Sequence, residues 1–172
     1  SAKQHNIQLK VLGLGETYLG HGTKRVMLTN ELKAYDPDDL FLFVDAYDVI
    51  FLTGEDEIIE KYNTHYKGKL VYGAEQNFGM YSFDDIYYYL KYPIKNATYR
   101  FLNTGTIIGK IGDALNVFHS IGLTKSKRSD QMDTIRYFTK HPNQITVDHS
   151  HELFAVNGGR AGLENQDYEL KQ

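Results

Sequence analysis

The sequence predicts an α/β domain with a mostly parallel central sheet and helices on both faces. Three observations predict it. Strand-like and helix-like stretches alternate along the chain, with no internal repeat. Some strand stretches are continuous apolar runs, "LFLFV" at 40–44 above all, as in strands buried on both faces. Several strands end in glycine or a short polar residue, which puts a ligand cleft at the carboxyl edge of the sheet. A length of 172 residues suits one domain with a sizeable core, spanning 1–172. The polar start "SAKQHNIQLK" and the polar end "ENQDYELKQ" read as the borders of a piece of a larger protein.

The elements follow in order. Residues 9–14 form a short apolar strand running into glycines. From Lys24 the spacing of Leu28, Leu32 and Tyr35 is helical, and Asp36-Pro37 stops that helix. Residues 40–44 are the buried strand. "GEDEIIEKYNTHY" is a helix whose first turn carries acids, favourable with the helix dipole. "KLVYGAE" at 69–75 is a second buried strand. "SFDDIYYYLKY" is a helix capped by Ser82 and closed before Pro93. "GTIIGKI" at 105–111 is a strand, and "DALNVFHSIG" a helix ending at Gly122. "SDQMDTIRYFTK" at 129–140 is a helix capped by Ser129. "QITVD" and "ELFAV" close the chain as short strands.

Composition excludes several classes. A formal net charge of -3 leaves no basic footprint for nucleic acid. No segment approaches the roughly 18 to 20 apolar residues of a membrane span. There are no cysteines, so disulfides and thiolate metal sites are excluded. Asn96-Ala97-Thr98 is a glycosylation pattern, short enough to arise by chance.

Function concentrates at strand ends. Asp45 and Asp48 follow the buried strand directly, in "FVDAYDVIF". Carboxylates beside a core need compensation. One reading makes them braces of a turn. Another makes them oxygen ligands of a hard divalent cation. A phosphatase of the haloacid dehalogenase type would space its aspartates D-x-D, whereas here Ala46 and Tyr47 intervene. Three further polar sets fall at element ends: Glu75, Asn103 with Gly105, and Asp130 with Gln131. Four such coincidences suggest one site.

The ordered pieces "VLGLGETY", "GTKRV", "FVDAYDVIF", "GAE", "KYP", "YRFLNTGTIIG", "SDQ", "VDHS" and "FAVNGG" run over residues 11–159. Together they resemble the glycosyltransferase domain of procollagen lysyl hydroxylases. That resemblance implies a GT-A type nucleotide-diphosphosugar transferase fold. It implies a manganese ion on Asp45 and Asp48, bridging to the diphosphate of a UDP-sugar. Tyr47 matches an aromatic that stacks on uracil. Tyr18 falls where the family carries an aromatic near the nucleotide. Lys24 falls on a basic position near the sugar nucleotide, and reads equally as a solvated lysine at a helix start. Asp130, Gln131, Asn103 and Glu75 match polar positions facing sugar or acceptor.

The implied reaction moves a hexose, glucose favoured, from UDP-sugar to hydroxylysine-linked galactose of collagen. Galactosyl transfer to hydroxylysine is the alternative. So is a non-catalytic module supporting an adjoining hydroxylase domain. The resemblance also implies the endoplasmic reticulum lumen and a homodimer formed through other domains. The lysine and tyrosine richness without cysteine suits a viral member. Three departures stand out. The family's first strand, which helps form the uridine pocket, precedes this chain's start. The family's third metal ligand is a histidine beyond residue 172, and His149 and His151 are not expected to replace it. The acidic run before D-Q is here "KSKRSD".

Overall fold

The computed structural model describes residues 1–79, 82–123 and 129–156. After a 3-10 turn at Ala2–His5 come α1 (Gly22–Leu32), β1 (Leu40–Val44), α2 (Glu55–His65), β2 (Val71–Glu75), α3 (Asp85–Lys91), β3 (Phe101–Lys110), α4 (Ile111–Ile121), α5 (Asp130–Lys140) and β4 (Thr146–Val147).

The four strands form one sheet in the order β1-β3-β2-β4. Side chains alternate across it. Phe41, Phe43, Tyr72 and Ile107 join a core shared with Leu28, Val117, Met132, Ile135 and Phe138. Leu42, Val71 and Ile108 face the other way, onto Ile58 and Tyr62 of α2. The expected burial of both sheet faces is therefore realised, and it explains why β1 is apolar without alternation.

The expectation of a mostly parallel sheet is corrected. β3 runs antiparallel to both β1 and β2, and among the described residues only β2 with β4 is a parallel pair. β1, β2 and β4 nevertheless point the same way, with β3 inserted between β1 and β2. The carboxyl ends of β1 and β2 and the amino-terminal half of β3 thus share one edge. The β2–β3 register also jumps: Tyr72 pairs with Ile107, but Gly73 pairs with Asn103. Residues 104–106 are left bulging from β3, a feature common beside active sites. A Cβ on Gly73 would lie 2.5 Å from Thr106 Oγ1, so the bulge needs glycine there.

Three local expectations also change. Residues 9–14 form no strand; Gly13 and Gly15 take φ of +83° and +81°, which turn the chain before it can pair. "ELFAV" forms none either, because the Glu152, Leu153 and Phe154 N–H groups donate to the buried Asp148 carboxylate at 2.7–2.9 Å instead of to a ladder. Ser82 does not cap α3. Its own N–H donates to Asp85 Oδ2 at 2.9 Å, and the helix begins at Asp85. Ser129 does cap α5: its hydroxyl accepts from the Met132 N–H at 3.3 Å. α4 ends at Gly122 as expected. Residues 125–128 of "KSKRSD" and the asparagine of "FAVNGG" lie outside the described residues.

Candidate active site

Asp45 leaves β1 with its N–H donating to Gly105 O at 2.7 Å, which extends the strand pairing by one residue. Its carboxylate emerges at the shared edge. There it meets Lys24, from the first turn of α1. The ammonium donates to Asp45 Oδ1 at 3.0 Å, to Oδ2 at 3.2 Å and to Thr104 O at 3.3 Å. It also forms an ion pair with Asp130 Oδ2 at 3.1 Å and lies over the Phe43 ring, 5.6 Å from its centroid. Lys24 is therefore not a solvated helix-start lysine. It joins two carboxylates from different elements.

Asp130 opens α5 and is buried. Its Oδ2 also accepts from Thr104 Oγ1 at 3.2 Å. Gln131, one residue on, accepts from the Thr104 N–H at 3.4 Å through Oε1 and donates to Glu75 through Nε2. Glu75 ends β2. Burial pushes its carboxyl above the usual range, while hydrogen bonds from the Gln131 and Asn103 amides pull it back. Asn103 Oδ1 accepts from the Gly105 N–H at 2.7 Å. Gly105 closes the circuit: a Cβ there would sit 2.9 Å from Asn103 Oδ1 and 3.2 Å from Asp45 Oδ2.

The structure thus gathers Lys24, Glu75, Asn103, Asp130, Gln131 and Asp45 into one network. Thr104 is a member that sequence reasoning missed. It touches the network through its carbonyl, N–H and hydroxyl, because the bulge turns it toward the edge. Its only sequence signal is its place between Asn103 and Gly105.

Three expected residues stand apart. Asp48 and Tyr47 are exposed, in the bend that follows Asp45. Tyr47 holds a φ of +77°, rare for a side chain this large. Tyr18 is exposed, with its hydroxyl 2.9 Å from His21 Nδ1. Among the described residues no three His, Asp or Glu side chains gather into a metal cluster. Asp45 and Asp48 offer oxygen only, the donor type that a hard divalent cation takes. His151 packs on Tyr99, with centroids 4.0 Å apart, and touches neither aspartate.

Comparison with known proteins shows which family the chain belongs to. The family model described as the PLOD GT domain matches residues 1–169. The chain belongs to this family. It is 33% identical over 143 residues to a Caenorhabditis elegans multifunctional procollagen lysine hydroxylase and glycosyltransferase, covering 77% of this chain and 19% of that protein. It is 34% identical over 175 residues to a Gallus gallus procollagen-lysine,2-oxoglutarate 5-dioxygenase 1, covering 92% of this chain and 23% of that protein. A Drosophila melanogaster procollagen-lysine,2-oxoglutarate 5-dioxygenase is 34% identical over 150 residues, 81% of this chain and 19% of that protein. The chain spans about a fifth of the length of these curated relatives. Membership of the PLOD GT domain family makes this a glycosyltransferase-type domain and bears out the resemblance carried by "FVDAYDVIF", "FLNTGTIIG" and "SDQ".

Proposed function

We propose that this domain transfers a hexose, glucose in preference to galactose, from a UDP-sugar to hydroxylysine-linked galactose of a collagen-like acceptor. The observation that carries the reading is the closed network at the sheet edge, which links Asp45 to Asp130, Gln131, Glu75 and Asn103 through Lys24 and Thr104.

Manganese, when held by Asp45 and Asp48, supplies positive charge against a leaving diphosphate. Lys24 adds a fixed ammonium beside the same carboxylate. Preorganised charge of this kind is usually the largest single contribution to transfer chemistry. Tyr47, exposed between the two aspartates, offers a face for uracil, and Tyr18 offers a second aromatic on the chain entering α1. Asn103, Gln131 and Glu75 present amide and carboxyl groups that orient sugar hydroxyls.

The preference for glucose, added with retention of configuration, follows from the state of Asp130. An inverting transfer needs a carboxylate base within about 3 Å of the acceptor hydroxyl. Asp130 Oδ2 is taken by the Lys24 ammonium and the Thr104 hydroxyl, and Glu75 accepts from the Gln131 amide, so neither presents a carboxylate free of partners to an acceptor hydroxyl. A pocket poor in free base suits retention. One observation favours a second reading, a non-catalytic module beside a hydroxylase domain: Asp48 is exposed, and among the described residues no hydrogen bond or ion pair joins it to the network. UDP release from UDP-glucose and from UDP-galactose, each with manganese and a galactosyl-hydroxylysine peptide, separates these readings. Release from UDP-glucose is expected. Release from UDP-galactose alone overturns the glucose preference, and UDP binding without release from either donor favours the module.

A further inference from the structure

The network has a back side, facing the core. Arg25 follows Lys24 but points inward and is buried. Its Nε donates to Gly122 O at 3.0 Å and its Nη2 faces Asp133 at 3.6 Å. Its Nη1 is buried with no hydrogen-bond partner. Tyr72, on the core face of β2, is 1% exposed, and its hydroxyl is likewise buried without a partner. Buried donors are rarely left so. Two in one neighbourhood point to a shared ligand.

Arg25 and Tyr72 both line a cavity of about 20 Å³, whose wall includes Lys24, Thr104 and Asp130. That volume holds one water, and its mainly apolar wall offers it the polar groups of Arg25, Tyr72 and Asp130 as partners. Burial raises the Tyr72 pKa, so the hydroxyl stays protonated and able to donate. Lys24 and Thr104 both reach Asp130 through Oδ2, which leaves Oδ1 for a third donor.

We propose that one buried water sits in this cavity, accepts from Arg25 Nη1 and the Tyr72 hydroxyl, and donates to the Asp130 carboxylate. Arg25 and Tyr72 are then positioning residues that fix Asp130 from the core side. The importance of that positioning for catalysis rests on the transfer reading above; the water and its effect on Asp130 do not.

Tyr72→Phe tests the inference without any turnover. High-resolution crystal structures of the protein and the variant are compared, together with thermal melts and the carbon-13 NMR shift of the Asp130 carboxyl at neutral pH. The wild type should show a water within about 3.2 Å of Arg25 Nη1, the Tyr72 hydroxyl and Asp130. The variant should melt lower, lose or displace that water, and show a changed carbon-13 shift of the Asp130 carboxyl, because a donor to that carboxylate is gone. Loss of a partnerless hydroxyl would instead leave the melting temperature unchanged or raise it. That result, or a wild-type cavity without water, overturns the site. A water present but an Asp130 carboxyl shift identical in both proteins overturns the positioning role. Arg25→Lys withdraws Nη1 from the opposite side and should empty the same density if Tyr72→Phe does not fold.

Discussion

The two halves of the strand edge are built differently. On the Asp130 side, each of these network side chains is held by another group: Lys24 by two carboxylates and a carbonyl, Gln131 by Thr104 and Glu75, Asn103 by the Gly105 N–H. On the Asp48 side, the chain leaves β1 through exposed residues, and Tyr47 carries backbone strain. One half is assembled by the fold before any ligand arrives. The other presents a carboxylate and an aromatic ring to solvent. Under the proposed transfer, the first half would orient the sugar and the second, together with Asp45, would take hold of nucleotide and cation.

Substitutions that dismantle the assembled half should have the largest effects. Lys24→Met leaves Asp45 and Asp130 facing each other without a counter-charge. Charged hydrogen bonds of this kind contribute about 1.5–3 kcal/mol. A lower melting temperature is expected, along with a loss of UDP-sugar turnover of about 10² or more. A variant with wild-type melting and turnover would mean that Lys24 is a bystander. Gly105→Ala comes next. The new methyl presses on Asn103 Oδ1 and Asp45 Oδ2 at once. Turnover should fall about tenfold or more, by misplacement alone, while circular dichroism stays native.

Much of the assembled half is legible in the sequence because its signals are local. Ser129 announces the start of α5, which places Asp130 and Gln131 in the first turn. The apolar run 40–44 announces a strand that must end where Asp45 begins. The direction of β3 is a different matter. Nothing in "GTIIGKI" distinguishes a parallel from an antiparallel strand, since both faces are buried either way. The bulge at 104–106 depends on β1 and β2 competing for different registers of β3, and Thr104 and the true partners of Lys24 were hidden with it. Residues 9–14 show the reverse failure. Their apolar character suggested a strand, but two glycines with positive φ turn the chain away from any neighbour.

Smaller effects sharpen the contrast further. Glu75 has a carboxyl pKa raised by burial, so the folded protein binds its proton more tightly than the unfolded chain does. Stability contributed at this position therefore falls as pH rises from the ordinary glutamate value, about 4.3, through the raised folded value. Glu75→Gln removes that fall. Denaturant melts of the two proteins should draw together at acid pH and separate above it in the variant's favour. Parallel profiles would show that Glu75 is solvated after all. Least of all, Tyr47→Gly should relieve a strained φ and stabilise the fold by about 1 kcal/mol. It should also weaken UDP binding, to which stacking contributes about 1–3 kcal/mol. Tyr47→Phe should bind UDP nearly as the wild type does. Equal UDP affinity in all three by calorimetry would remove Tyr47 from the nucleotide site.

The most direct test of the account is the rate of UDP release from saturating UDP-glucose by Asp130→Asn. Asp130 sits in the assembled half, 3.1 Å from the ammonium that also holds Asp45. Asn keeps the shape and can still accept from Thr104, but the Lys24 ion pair is lost together with about 0.3–1 kcal/mol of helix-start electrostatics, so the variant should fold and melt lower than the wild type. The account predicts a folded protein whose turnover is cut severely with manganese and acceptor present. A variant that melts slightly lower and releases UDP at the wild-type rate would reduce Asp130 to a helix-start charge and contradict the account.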